Sequence, residues 1–380
     1  MRILHVAKFF PPCPGGIERF VADLSLAQAV AGHQVTVVCF AHQNLSDATF
    51  TEQPHPRLTV IRVRTLLTLA FAPIAPDFFR ALQQSCKTFD PDWLHIHLPN
   101  IALLPCLMTR YARNKPWLLH WHSDVPNNAR SSVVRLGALG YRWMEAQALK
   151  RARLIIATSN AYAASSVYLQ AHAERVRVVP LGLGDGIKVT PVREARRALF
   201  IGRFAYYKGL NVLLDALALA SDWRLILVGD GPERSALEAQ TVRLGLSARV
   251  SFLGVVDEAE KAFELARASV LCLPSIERTE AFGLVLLEAY RAGCPVLAAK
   301  VPGAGMIDVV DEGRSGWLVE ADSAAALADG LARAADSDCN AMGAAARELF
   351  VQRYQIEHIA AQIERLTDEM LRADAANGAA

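Results

Sequence analysis

At 380 residues the chain is too long for one ordinary core and long enough for two domains of ordinary size. Charged residues make up 21% and apolar ones 52%, proportions of a well-packed globular enzyme that exclude a disordered or fibrous chain. The formal net charge is +2, but residues 1–180 hold 19 lysines and arginines against 10 aspartates and glutamates, and residues 181–380 hold 21 against 28. With no nucleic-acid motif, a basic first half points to an anionic membrane surface or an anionic acceptor, not to DNA. The seven cysteines show no CxxC spacing, which suits the reducing cytosol. Lys8 interrupts the first apolar run before a signal-peptide core can form, and the longest such run, residues 66–75, is far short of the ~20 that cross a bilayer.

In chain order, residues 2–7 alternate as a strand and enter the turn PPCPGGIERF. Val21, Leu24, Leu26, Ala27 and Val30 then mark an amphipathic helix ending at Gly32, and Gln34–Phe40 is a second buried strand. This is half of a nucleotide fold by pattern, yet Gly15 and Gly16 lack the GxGxxG spacing and no dinucleotide is assigned. The glycine pair is either a tight turn or a loop that lets the backbone approach a ligand closely. After the strand Leu58–Val63, Arg62 and Arg64 precede LLTLAFAPIAPDFF, which suits a membrane surface and a buried loop leading into a helix about equally.

WLHIHL, residues 93–98, puts His95 and His97 on one face of a strand, and WLLHWH, residues 117–122, does the same for His120 and His122. Four histidines on neighbouring strands invite a metal, but no carboxylate or cysteine ligand accompanies them at a recognised spacing, so none is expected. His122 differs from the other three because its strand runs out there into polar SDVPNN, and ligands lie at the carboxyl edge of open parallel sheets. Leu154–Thr158 and Val176–Val179 are further strands. Pro180 with Gly182, Gly184 and Gly186 marks a hinge within 180–195, which sets a first domain at 1–185 and a second at 186–355.

The second half opens with Arg197–Ile201, Gly202-Arg203, and a helix entered through Lys208-Gly209; two cations five positions apart beside a helix start can converge on a diphosphate. Strands follow at Trp223–Gly229, Val250–Leu253 and Ala268–Leu273, with Asp257 in the loop after the second of these. Then comes PSIERTEAFGLVLLEAYRAGCP, residues 274–295, with Glu280 and Glu288 flanking a Phe-Gly turn and the start of an apolar helix. Eight helical steps cover roughly 12 Å, more than the roughly 5–9.5 Å between paired glycosidase carboxyls, so an acid/base pair is the weaker reading. A helix-start charge beside a solvated glutamate is the plain alternative. The other reading is a sugar grip and a phosphate-binding turn. Val296–Ala299 and Gly316–Val319 are the last strands. A final amphipathic helix at 356–372 is expected to pack back on the first domain. Strands and helices alternate throughout, an α/β pattern of two doubly wound Rossmann-like domains.

GGIER, HSD, GRFAYYKG, LVGDGP, FLGVVDEAEK and RTEAFGLVLLEAYRAGCPV, in that order, resemble the retaining nucleotide-sugar glycosyltransferases of family 4, group 1, with the GT-B fold. HWHSD, RTEAFG and the PGAGM loop look most like members that build bacterial surface polysaccharide, several from GDP-mannose. The resemblance implies two domains facing across a cleft and transfer of a hexose from GDP-mannose or a UDP-sugar to a lipid-linked or saccharide acceptor, without a metal or other cofactor. The cysteine pattern and the basic first half together point to a cytoplasmic enzyme, peripheral on the anionic inner-membrane face. By position, Arg203 and Lys208 match the pair that neutralises the donor diphosphate, Gly202 belongs to the same motif, and Glu280 matches the glutamate that orients the donor sugar. Phe282, Gly283 and Leu284 match the segment whose amides meet sugar and phosphate, and Glu288 matches the ribose-binding glutamate. Gly15 and Gly16 match the loop between acceptor and donor phosphate, His122 a histidine of the reaction centre, and Asp257 a contact to the base in guanine-using relatives. Tyr290 departs from the usual methionine. A 2-epimerase on the same fold would need acid/base residues around the sugar ring, and a non-catalytic sugar-nucleotide-binding protein would be expected to lose one of these contacts.

Overall fold

A computed structural model describes residues 1–42, 48–69, 72–125 and 132–378, in two compact units. The first contains Met1–Thr158, Ala163–Gly184 and the terminal helix Ile356–Gly378; the second contains Ser159–Tyr162 and Asp185–Gln355. Ser159–Tyr162, which the sequence assigns to the first domain, therefore groups with the second.

In the first unit the strands are β1 (Arg2–Val6), β2 (Gln34–Phe40), β3 (Phe50–His55), β4 (Leu58–Val63), β5 (Leu67–Leu69), β6 (Ala72–Ile74), β7 (Trp93–Leu98), β8 (Trp117–Trp121), β9 (Leu154–Ala157) and β10 (Val176–Val178). All but β5 and β6 form one sheet in the order β10-β9-β8-β7-β1-β2-β4-β3, parallel except for β3. Its central strands are buried along their whole length, as a sheet covered on both faces requires. Trp93, Trp117 and Trp121 are fully buried.

Two features depart from the periodicity. Strand β3 has no apolar alternation to betray it; it is an exposed edge strand that holds to β4 by antiparallel pairing and by Glu52 Oε2, which accepts from Arg62 Nε at 3.0 Å. The stretch that sequence placed on a membrane surface or in a buried loop contains the β5–β6 hairpin, with Leu66, Leu67, Leu69 and Ile74 exposed; Ala70 and Phe71 lie outside the described residues, as do 126–128 of the polar run after His122.

The helix Gly16–Val30 is rotated from the expected stripe. Leu26 and Val30 are exposed, and Phe20, Val21, Leu24, Ser25 and Gln28 are buried. Gln28 can be inside because its amide has a hydrogen-bond partner there, His5. The terminal helix packs on this one, with Ile356, Ile359 and Ile363 buried, and its Glu364 carboxylate stands 3.2 Å from His33 Nε2.

The second unit holds β11 (Arg197–Ile201), β12 (Arg224–Val228), β13 (Val250–Gly254), β14 (Val270–Leu273), β15 (Val296–Lys300) and β16 (Gly316–Glu320), all parallel, in the order β13-β12-β11-β14-β15-β16. The chain leaves β11 toward β12 on one side and returns to β14 on the other. Strand order thus reverses between β11 and β14, and the crevice at the carboxyl ends of such a strand pair is where open α/β sheets bind ligands.

Candidate active site

At that reversal, the loop after β11 carries Gly202, Arg203 and Lys208, and the loop after β14 carries Glu280. Gly202 N donates to Val228 O at 3.0 Å, and the fully buried Phe204 anchors the loop, its N–H donating to Asp230 O at 2.9 Å. A single 3-10 turn, Tyr206–Lys208, ends at Gly209 in the left-handed region, φ 65°. A Cβ on Gly209 would stand 2.2 Å from Pro274 O, so only glycine lets this loop lie against the β14 loop, where Ile276 N donates to Tyr207 O at 2.9 Å.

This close approach puts the Lys208 ammonium on Glu280 Oε2 as an ion pair, with Ser275 Oγ donating to the same oxygen at 3.3 Å. Both charged side chains are 11% exposed. Burial works against the ammonium, but the Glu280 carboxylate and Tyr207 together more than offset it, and the Lys208 pKa is raised above its ordinary value. Arg203 is exposed at the carboxyl end of β11.

Beyond Glu280, Phe282 is buried and Gly283, at φ 79°, turns the chain into the helix Leu284–Arg291. A Cβ on Gly283 would approach Leu273 Cδ2, the end of a side chain, to 2.8 Å, and the left-handed φ favours glycine here. Leu284 is the first residue of a helix start with no side-chain cap, which leaves backbone N–H groups for an anion. Glu288 lies one turn in and meets Lys261 at 2.9 Å; Lys261 also meets Glu258 at 2.8 Å. Burial lowers the Lys261 pKa, and Glu288 and Glu258 raise it to a net upward shift. Asp257 has a local job: its Oδ1 accepts from Glu260 N at 2.8 Å, capping the helix Glu258–Arg267 that carries Lys261. Tyr290 is fully buried, its hydroxyl 2.5 Å from Ser315 Oγ and donating to Val309 O at 3.2 Å.

In the first unit, Gly15 and Gly16 are exposed at the start of Gly16–Val30, with no side chain capping it. Glu18 folds back over this start: a Cβ on Gly15 would stand 2.0 Å from Glu18 Oε2. Burial raises the Glu18 pKa, and its backbone hydrogen bond and Lys8 pull against that shift.

His122 follows the last residue of β8, its N–H donating to Leu98 O at 3.0 Å, and its side chain is buried. It belongs to an array of five buried imidazoles. His5 Nδ1 is 3.0 Å from His97 Nε2, His97 Nδ1 is 3.1 Å from His122 Nε2, and His95 Nε2 is 3.2 Å from His120 Nδ1. Phe20 closes the array edge-on against His97, His120 and His122. Burial lowers the pKa of His5 to about 4 and of His122 to about 3, and holds His95, His97 and His120 well below the ordinary value. Two triplets, His5/His95/His97 and His97/His120/His122, have ring nitrogens within 4.8 Å of one another, a donor set made only of imidazoles.

The structure thus joins Lys208 to Glu280. It sets Glu288 against Lys261 and gives Asp257 a cap. Sequence reading missed Ser275, Lys261, His5 and Gln28. Of these, Ser275 lies five residues from Glu280 and Lys261 three from Glu258, whereas the contacts of Lys261 with Glu288, of His5 with His97 and of Gln28 with His5 join residues far apart in the chain.

The sequence profile of the glycosyl transferases group 1 matches residues 188–349, and that of Glycosyltransferase Family 4 matches residues 14–184. The chain is 28% identical over 373 residues to the O-antigen chain mannosyltransferase C of Escherichia coli, covering 94% of this chain and 96% of that protein. It is 30% identical over 344 residues to the D-rhamnosyltransferase WbpZ of Pseudomonas aeruginosa, with 86% and 84% covered. It is also 30% identical over 378 residues to the phosphatidyl-myo-inositol mannosyltransferase of Mycobacterium leprae, with 96% of each covered. Among solved structures, the sucrose-phosphate synthase of Thermosynechococcus elongatus superposes with a TM-score of 0.80 at 24% identity, covering 98% of this chain and 99% of that one. HepE of Anabaena in complex with UDP-glucose gives 0.75 at 24%, covering 97% and 100%. The two Rossmann-like units are those of the GT-B fold, and the chain belongs to the family 4, group 1 glycosyltransferases.

Proposed function

We propose that the protein is a retaining hexosyltransferase that takes its sugar from a nucleotide-diphospho-sugar, GDP-mannose or a UDP-sugar, and gives it to a lipid-linked or saccharide acceptor of bacterial surface polysaccharide, such as O-antigen. The observation that carries this reading is the Lys208–Glu280 pair at the strand-order reversal, one turn before an uncapped helix start. A donor diphosphate takes up the Lys208 ammonium and meets Arg203 and the amides at Gly283 and Leu284. Glu280, released from Lys208, accepts hydrogen bonds from the sugar hydroxyls beside Phe282. Glu288 keeps Lys261 on one oxygen and has acceptor capacity left for ribose hydroxyls.

In this reading the second unit carries the donor, and His122 and the Gly15–Gly16 turn belong to the first. The leaving diphosphate itself takes the proton of the attacking hydroxyl on the face from which it departs, so configuration is retained without an enzymatic nucleophile. Lys208, Arg203 and the helix start stabilise the charge that develops on the phosphate, at about 3 kcal/mol per well-placed donor. Those groups do the work without a metal, so chelator should leave turnover unchanged.

The names of the relatives support mannosyl or a related sugar and a glycan or glycolipid acceptor. Among the described residues no helix is long and apolar enough to cross a membrane, and the basic first half suits peripheral docking on the anionic cytoplasmic face of the inner membrane. Transfer of labelled sugar from each donor to membrane lipid extract, with the product's anomeric coupling read by NMR, tests the reading. Retained configuration supports it; an inverted product, or isomerised donor in the absence of acceptor, refutes it.

A further inference from the structure

Beneath His122 runs a single file of hydrogen bonds. Gln28 Oε1 is 2.7 Å from His5 Nε2, His5 Nδ1 is 3.0 Å from His97 Nε2, and His97 Nδ1 is 3.1 Å from His122 Nε2. His122 Nδ1 ends the file, buried and with no hydrogen-bond partner among the described residues. The second row, His95 and His120, stacks on the first, with centroids 4.3 Å apart for His95–His97 and 4.4 Å for His120–His122.

A neutral imidazole has one N–H and one lone pair, so each ring in such a file passes a direction to the next. The Gln28 carbonyl oxygen only accepts, which requires the His5 proton on Nε2 and leaves His5 Nδ1 as an acceptor. His97 must then donate from Nε2 and accept at Nδ1, and His122 must donate from Nε2. We propose that Gln28 is a positioning residue that, through His5 and His97, locks His122 in the Nε2–H tautomer and leaves its Nδ1 lone pair free to accept from a substrate hydroxyl. The lock rests on the geometry of the file; the substrate contact rests on the function proposed above. Burial keeps all the rings neutral near pH 7, which the one-proton-per-ring logic needs. A lone pair at His122 Nδ1 suits a hydroxyl that donates and not a group that only accepts.

Long-range 1H–15N spectra of the histidine-labelled full-length protein at pH 7 test this directly. For His5, His97 and His122 the expected pattern is a protonated-type Nε2 and an unprotonated-type Nδ1. An Nδ1–H form of His122, a mixture of tautomers, or metal-shifted nitrogens with stoichiometric zinc in the purified protein would overturn the lock. Gln28→Met removes the directing oxygen and should mix the His122 tautomers and lower kcat roughly tenfold or more, within the ~10²–10⁴ that a positioned proton acceptor contributes, with donor affinity unchanged. Gln28→Glu keeps an accepting oxygen and should keep the His122 tautomer. A folded Gln28→Met protein with the wild-type His122 pattern overturns the role of Gln28; if that variant fails to fold, the wild-type and Gln28→Glu spectra still decide. A locked tautomer with wild-type turnover in His122→Ala upholds the lock and removes His122 from the reaction.

Discussion

The Lys208 ammonium and the Glu280 carboxylate are each other's partner, although 72 residues apart in sequence and delivered by two strands on either side of the order reversal. The groups expected to grip the diphosphate and the sugar are thus held together, charge against charge, before any donor arrives. Lys208→Ala leaves Glu280 mostly buried with no cation beside it and only the Ser275 hydroxyl as partner, and should cost about 3 kcal/mol in urea unfolding, with turnover down on the order of 10²–10³-fold. Adding Glu280→Gln should recover most of the stability and none of the turnover. Equal recovery of both would mean the pair is structural.

Lys261, the last residue of FLGVVDEAEK, holds Glu288 at 2.9 Å. Lys261→Met should raise the donor KM about tenfold with a smaller effect on kcat, because Glu288 loses its orientation but the phosphate grip stays. In a double-mutant cycle the Lys261→Met and Glu288→Gln effects on donor affinity should be coupled by roughly 0.5–3 kcal/mol; additive effects would separate Lys261 from the ribose site.

The imidazole array predicts acid sensitivity. The folded state holds His5 neutral down to about pH 4 and His122 down to about pH 3, while the unfolded chain protonates them near 6.5. Between those limits the unfolded state binds more protons, so stability is fully present above about pH 6.5 and is lost as pH falls below it. Each such histidine steepens the loss by up to about 1.4 kcal/mol per pH unit. Urea titrations at pH 7, 6 and 5 should show uptake of more than one proton on unfolding; a flat profile would mean the array is charged or solvated in the folded protein.

Gly209 and Gly283 have similar left-handed φ values but different neighbours. Alanine at Gly283 meets the movable end of Leu273, whereas alanine at Gly209 meets the backbone oxygen of Pro274. Gly283→Ala should therefore cost roughly 1–2 kcal/mol, and Gly209→Ala more, with lost turnover because it pries Lys208 from Glu280. Thermal melts and rates on the two variants check the order.

Much of this was legible in the sequence. The buried parallel strands announce themselves as unbroken apolar runs, the turn at Gly202 as a glycine at a strand end, and those at Gly209 and Gly283 as glycines just before a helix. Glu280 and Lys208 could be named from their motifs, but their pairing could not, since it depends on which strands neighbour β11. Gln28 was hidden by the opposite effect. A helical stripe counts apolar residues, and the helix Gly16–Val30 instead turned inward a polar one that had a partner, leaving Leu26 and Val30 outside. His5 hid as the one polar residue among the buried positions of a short strand, and β3 because an exposed edge strand has no buried face to pattern it.

Calorimetric titration of the wild-type protein and of Lys208→Ala with GDP-mannose, UDP-glucose, UDP-N-acetylglucosamine and UDP-galactose tests the donor site most directly. One nucleotide sugar should bind the wild type, and its affinity should fall on the order of 100-fold in the folded variant, the loss of about 3 kcal/mol of charge-assisted contact. Binding of none of them, or equal binding by both proteins, would contradict the assignment of Lys208 and Glu280 as the grip on the donor.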